Sequence, residues 1–385
     1  MPAASVSFFR RQTASRKQGY LGGYALLSAA LAYYLFGLGR YNGRDYAVYV
    51  EAVMRWAEGL SAYDYTVPTS FHYMPCVLPL FQAFGIFALG VQHGLVLLLS
   101  FAALLRMTDI LLGLFAPTEF RNARAWGFFA LTPWVWVAFG LGAQFESGNI
   151  NLLLVYLCVE GAAQVRCGFP HLGFLLLVLP ALFKPQFGVV GYFIWLTQPR
   201  RHAPAFGFAL LAAVVFLATP WLWAGNAAVG LYRDWWFSNR AHAHSLLTLH
   251  EVAENYSLLS FAVDRLGISV EYAGALLVLC FALFHARVWT ERDEARMLVQ
   301  ALLFSFFFFP ASFPYSTVSF LPAVVSLLAR QTDKRTPRNY RAAVSFWIFA
   351  LGNILLSVDI LGRSLYQTWV IPWRLRSWIS LALFR

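Results

Sequence analysis

The residues able to do chemistry sit in short polar stretches that interrupt long apolar blocks. Arg44-Asp45-Tyr46 follows the first such block and puts a carboxylate where a lipid head group would lie. Partial burial tunes a carboxylate to take a proton, provided it reaches the hydroxyl it serves. An aspartate there also suits capping of a helix that starts near Tyr46. The stretch from Tyr63-Asp64 to His72-Tyr73-Met74-Pro75 adds aromatics, prolines and a histidine that either titrates near neutral pH or bonds a carbonyl. In Gln144-Phe145-Glu146-Ser147-Gly148-Asn149-Ile150-Asn151, Gly148 permits a tight turn and the amides of Asn149 and Asn151 suit sugar hydroxyls or phosphate oxygens. The same amides suit the free backbone groups of two helix ends. Lys184-Pro185 sets a cation inside an apolar run, where a phosphate anion is a natural partner and snorkelling to the interface is the alternative. A last polar stretch holds His242, His244 and His250, then Asn255-Tyr256-Ser257. Its His-x-His spacing has no further ligands at a recognisable distance in sequence, so no metal is expected. The sequence has no phosphate-binding loop, dinucleotide fingerprint or serine elbow, which argues against nucleotide-driven pumping and serine hydrolysis.

Positioning these groups falls to membrane helices. Of the 385 residues, 59% are hydrophobic and 12% charged, too little charge to cover a soluble fold. The expected fold class is all-α: a polytopic transmembrane bundle of about 10–12 helices, with interfacial helices in the first outer loop. A basic leader (1–19) would precede one transmembrane domain (20–362), followed by an aromatic, basic interfacial tail (363–385). The net charge of +11 gathers in short connections, as the positive-inside rule requires, and not in a nucleic-acid surface. Cys76, Cys158, Cys167 and Cys280 are irregularly spaced and suggest no disulfide framework.

Apolar blocks predict helices from about Tyr20 to Leu38, Gly94 to Phe115, Trp126 to Gly142, Ile150 to Val165 and Phe206 to Trp223. Further blocks run from Ala273 to Ala286, Met297 to Phe309, up to Arg330, and Ala342 to Leu361. Residues Met74 to Leu89 are short and proline-flanked, as for an interfacial helix. Arg166 and Arg200-Arg201 should share a side, so the residues between them form a hairpin with Lys184 at or near its tip. Two long outer loops, 39–73 and 224–269, hold Asp45, Glu51, Glu58, Asp64, Asp234, Glu251, Glu254 and Asp264. A transporter would place ionisable groups within helices near the midplane. Acids in outer loops point instead to chemistry at the membrane face.

Read in order, several stretches resemble a GT-C superfamily membrane glycosyltransferase, closest to glycosyltransferase family 87. They are Arg44-Asp45-Tyr46-Ala47-Val48-Tyr49 with Gly59 and Tyr63, Tyr73-Met74-Pro75, and Gly148-Asn149-Ile150-Asn151-Leu152-Leu153. Leu182-Phe183-Lys184-Pro185, Asn255-Tyr256-Ser257-Leu258 and Phe313-Pro314-Tyr315-Ser316 complete the set. The resemblance implies inverting transfer of a mannose-like sugar from a polyprenyl-phosphate donor to a glycan or glycolipid acceptor. The site would lie on the extracytoplasmic side of a cell inner membrane, with lipid, donor and acceptor as partners and no cofactor. Asp45 would be the base. Arg44, Tyr46, Asp64, His72, Tyr73, Glu146, Asn149, Asn151, Lys184, Asn255, Ser257, Tyr315 and Ser316 would bind substrate. The chain departs from the family pattern in Asn149, often glutamine, and in Thr317-Val318-Ser319-Phe320, where a tryptophan and a histidine pair are common. The rival readings are a transporter or flippase of a lipid-linked sugar, and a relative that has lost activity.

Overall fold

A computed structural model describes residues 29–63, 71–115, 138–248, 257–309 and 318–332, together with Ala25, Val344 and Ile348. A π-helical turn, Tyr33–Gly37, precedes α1 (Arg44–Ala57). Pro75–Val77 forms a 3-10 turn that runs into α2 (Leu78–Phe84), and α3 (Leu89–Phe115) follows. Next come α4 (Ala138–Ser147), α5 (Asn151–Arg166) and α6 (Pro170–Phe183). A 3-10 turn at Pro185–Phe187 leads to α7 (Gly188–Thr197), then α8 (Pro199–Ala218) and α9 (Pro220–Ala224). The series closes with α10 (Ala227–Thr248), α11 (Leu258–Leu266), α12 (Val270–Val288), α13 (Glu294–Phe308) and α14 (Leu321–Thr332). No strand occurs among the described residues.

Among these residues, three helical stretches are long and apolar enough to cross a membrane: α3, Pro199–Ala224 and α12. Leu211, Val214 and Val215 on α8, and Val278, Leu279 and Leu283 on α12, are exposed apolar side chains. Faces this apolar suit lipid and not water. The core lies along α5 and α13. Leu152, Val155, Cys158 and Val159 of α5, and Met297, Leu298, Ala301 and Phe304 of α13, are all fully buried. Helices α5 and α6 approach closely at two glycines. A Cβ on Gly161 would lie 2.8 Å from Gly173 O, and one on Gly173 would lie 2.7 Å from Gly161 O. Small residues let membrane helices touch in this way.

The break between α6 and α7 is a hairpin, as expected. Pro185 disfavours helical geometry in the residue before it, and Lys184 is extended at φ −132° and ψ 106°. Gly188 faces Ala181 and Gly191 faces Leu177, each at 3.5 Å for an added Cβ, so the arms run antiparallel about Lys184-Pro185. The turn before α13 holds the far end of the α7 arm and the end of α5 that leads into the α6 arm. Arg292 Nη1 donates to Leu196 O and Thr197 O, both at 3.2 Å, and Arg166 Nη1 meets Asp293 Oδ1 at 2.8 Å.

Several expected boundaries move, each for a local reason. The stretch expected to loop from Gln144 stays helical through Ser147, and only then does Gly148 turn the chain. Pro199 takes the first position of α8, so Arg200 and Arg201 sit in its first turn and not in a loop. Asp293 accepts from Ala295 N and Arg296 N and starts α13 at Glu294, ahead of the expected Met297. Helix α3 begins at Leu89, ahead of the expected Gly94. The largest correction concerns 224–269, which is mostly helix, in α10 and α11. Its tryptophans, histidines and asparagines read as loop residues, but helical spacing gathers its polar partners onto one side. The leader, the residues 116–137, the block from Ala342 (apart from Val344 and Ile348) and the tail lie outside the described residues.

Candidate active site

The site begins where α1 meets the α4–α5 turn. Asn42 Oδ1 accepts from Arg44 N at 3.0 Å, so an asparagine outside α1 does the local capping. Asp45, in the first turn of α1, makes no such cap and reaches the other way. Its Oδ2 accepts from Asn149 Nδ2 at 2.7 Å. Asn149 is buried, and its Oδ1 accepts from Asn151 N at 2.8 Å, which fixes the amide so that its N–H points at Asp45. A hydrogen bond to a charged group of this kind contributes about 1.5–3 kcal/mol.

The turn that carries Asn149 is held by backbone bonds. Asn149 N donates to Gln144 O at 3.2 Å, and Asn42 N and Gly43 N both donate to Glu146 O, at 2.9 and 3.0 Å. Gly148 adopts φ +67°, and a Cβ there would come within 3.2 Å of Tyr46 Cβ. Glycine is therefore needed twice at this point, for its backbone geometry and for its lack of a side chain.

Behind Asp45 lies an aromatic floor. Tyr46 OH donates to Gln92 Oε1 at 2.7 Å, and Gln92 Nε2 donates to Phe87 O at 2.6 Å, tying α1 to the start of α3. The hydroxyls of Tyr49 and Tyr73 meet at 2.8 Å, and Tyr63 OH donates to Tyr73 O at 2.8 Å. Lys184 enters from the hairpin tip, its Nζ 5.6 Å from the centre of the Tyr73 ring. The charge of Asp45 acts on both Tyr73 and Lys184. The carboxylate therefore has an amide on one side and a cation in its field on the other.

His72 is held by α10. Trp235 Nε1 and Asn239 Nδ2 both donate to His72 O, at 3.1 and 3.2 Å, and the His242 ring stacks on His72 at 3.7 Å with 22° between planes. Burial, reinforced by His242 and Lys184, pushes His72 well below the usual histidine range. Burial, then Lys184, lowers His242 to about 4. Both rings are thus neutral near pH 7.

Of the residues singled out in the sequence, the structure gathers Asp45, His72, Tyr73, Asn149 and Lys184. Tyr46 and Asn151 are buried and serve the packing, Tyr46 through Gln92 and Asn151 through its N–H to Asn149. Glu146 contributes its main-chain carbonyl, and Arg44 is exposed at the start of α1. Ser257 is buried and accepts from Ser260 N at 3.4 Å, the N-cap of α11. Asp64, His250, Asn255, Tyr315 and Ser316 lie outside the described residues. Sequence reasoning passed over Gln92, Trp235 and Asn239, quoted Tyr49 only within a matching stretch, and named His242 without placing it in the site. The spacing 235, 239, 242 was the available signal, because these positions share one helical face. It also passed over a pair within the helices, Arg106 Nε to Glu160 Oε2 at 3.2 Å, in which the glutamate is buried and the arginine exposed. Among the described residues, no group of three or more acidic, histidine or cysteine side chains could hold a metal.

This arrangement defines an all-helical membrane protein in which a carboxylate, held by an asparagine amide, lies in the field of a lysine. A family model described as glycosyltransferase family 87 matches residues 71–314, and the chain belongs to that family. The matched span takes in His72, Tyr73, Asn149, Lys184 and His242, and begins after Asp45. No curated protein matches the chain.

Proposed function

We propose that this glycosyltransferase moves a mannose-like sugar from a polyprenyl-phosphate donor to a glycan or glycolipid acceptor, with inversion, at the extracytoplasmic face of a cell inner membrane. The observation that carries this reading is Asp45, oriented by Asn149 and lying in the field of Lys184. The acceptor oxygen attacks the anomeric carbon opposite the phosphate, and its proton passes to Asp45. The bond from the anomeric carbon to the phosphate oxygen breaks, its electrons stay on that oxygen, and the phosphate gains one negative charge. A lysine beside the leaving phosphate stabilises that charge. The base must lie within hydrogen-bond reach of the acceptor hydroxyl, and general-base catalysis of this kind contributes about 10²–10⁴-fold.

The test is a transfer assay on purified protein with labelled polyprenyl-phosphate sugars, mannose first, and a membrane glycolipid extract as acceptor. Label should enter a new product, and Asp45→Asn should lower turnover at least about a hundredfold while the protein stays folded and inserted. Undiminished turnover in Asp45→Asn would remove Asp45 from the role. Absence of transfer from every donor would remove the donor class.

A further inference from the structure

Helix α10 has two faces of opposite character. Ala228, Leu231 and Ser238 are buried, and Trp235, Asn239 and His242 on the same side engage His72. Val229, Arg233, Trp236, Phe237 and Arg240 are exposed. At 100° per residue these five fall within about 100° of one another around the axis, opposite the buried side. We infer that this outer face of α10 is a docking surface for anionic phospholipid head groups, in the leaflet at the Lys184 end of the bundle. It goes beyond the transfer reaction and does not depend on which donor the site takes.

The first argument is depth. Helix α10 is not among the three described stretches long and apolar enough to cross a membrane, yet it begins where one of them ends, at Ala224. Trp221 of α9 stacks on Tyr232 at 5.5 Å with 21° between planes, and Tyr232 OH donates to Leu217 O of α8. These contacts hold the second turn of α10 against the last turns of a spanning stretch, at the level of the head groups. Leu222 of α9 is 86% exposed, Val229 61%, Trp236 60% and Phe237 51%, so the lipid-facing surface of α8 and α9 continues onto α10. Tryptophan and other aromatic rings settle at this level, and large apolar side chains left to water there would be costly.

The second argument is charge, which selects the lipid. The outer face carries two arginines and no acid. The acid of α10, Asp234, is turned aside, its Oδ2 accepting from Ser61 Oγ at 2.9 Å. Its Oδ1 lies 3.5 Å from Arg233 Nε and offsets part of that charge, so Arg240 carries the larger share. The two arginines stand about 10 Å apart along the axis, with Trp236 and Phe237 between them. Arginine stems can follow apolar surface while the guanidinium reaches a phosphate. A zwitterionic head group brings its own cation and an anionic one does not, so each arginine enriches anionic lipid about fivefold. Trp235 and Asn239 hold His72 O from the other side of the helix, so a lipid seated here steadies the element that holds His72.

The test places the full chain in nanodiscs of mixed phosphatidylcholine and phosphatidylglycerol, with one lipid or the other brominated to quench tryptophan fluorescence. The signal of Trp236 is the difference between the unaltered chain and Trp236→Phe. Brominated phosphatidylglycerol should quench that signal about fivefold more than brominated phosphatidylcholine at equal content. The excess should shrink at high salt and vanish in Arg233→Gln/Arg240→Gln. Arg240→Gln alone should remove the larger part of it, which keeps the test open if the double variant folds poorly. Equal quenching by the two lipids makes the contact ordinary bilayer and overturns the inference. Quenching of Trp236 by aqueous iodide and by neither lipid puts the face in water and overturns it as well. Shielding of Trp236 in native membranes but not in nanodiscs assigns the face to a protein partner, which is a third way for the inference to fail.

Discussion

Asn149 donates to Asp45 across 104 positions of sequence, at 2.7 Å. The bond joins the first turn of α1 to the entrance of α5. Replacing Asn149 with alanine removes the donor without adding bulk. Turnover should fall about tenfold or more with little change in KM, since the lost interaction is worth about 1.5–3 kcal/mol and acts on the base and not on substrate affinity. Steady-state kinetics decide it, and a rise in KM at constant turnover would count against the assignment.

Gly148→Ala tests the turn that presents Asn149. The added Cβ meets Tyr46 and the backbone keeps a left-handed φ, a strain of about 1–3 kcal/mol. The thermal midpoint in detergent should drop, and transfer should weaken as Asn149 shifts. A variant as stable and as active as the unaltered chain would show that the turn relaxes freely.

Gly161→Ala probes the close crossing of α5 and α6. Backbone oxygen and the Leu177 side chain both lie 2.8 Å from the new Cβ, so the helices must separate. Gly207→Ala in α8 is the control, with nothing within 4 Å of the added atom. The first should lower stability, whereas the second should raise it by up to about 1 kcal/mol through helix propensity. Similar shifts in both would remove the crossing from the account.

The neutral histidines make stability depend on pH. His242 titrates at about 4 in the folded chain, against about 6.5 when exposed. Between those values the unfolded chain binds a proton that the folded chain does not. Stability is therefore full above about pH 6.5 and declines as pH falls towards about 4, by at most about 1.4 kcal/mol per pH unit for one such group. His72, lowered as well, adds to the slope. Denaturation midpoints across this range should show a shallower slope for His242→Phe, and identical slopes would refute the linkage.

The sequence made some of this legible and hid the rest. Long apolar runs and Pro185 announced the membrane helices and the Lys184 break, because each depends on local composition. Asp45 and Asn149 stood out as polar residues at the ends of apolar blocks. Their pairing did not, since contacts over such distances leave no periodic trace. Helix α10 was missed for a different reason. Its polar and aromatic residues resemble loop composition, and its order comes from partners elsewhere, such as His72 O and Ser61. Tyr46 looked like a binding residue, but its hydroxyl is consumed by Gln92 in packing.

The hairpin of α6 and α7 acts as a fixed-length post. Its α7 foot is clamped by Arg292, its α6 foot follows directly on the α5 end that Arg166 ties to Asp293, and its summit carries Lys184. The height of that lysine is therefore set by counting residues up each arm. One extra turn in both arms would raise the ammonium by about 5.4 Å, past Tyr73. One extra residue in a single arm would instead swing it about 100° around the helix axis. Substitutions at exposed arm positions such as Leu172 leave that height unchanged, whereas insertions and deletions there move the charge itself. Arm length, more than arm composition, is the quantity that chemistry at the summit constrains.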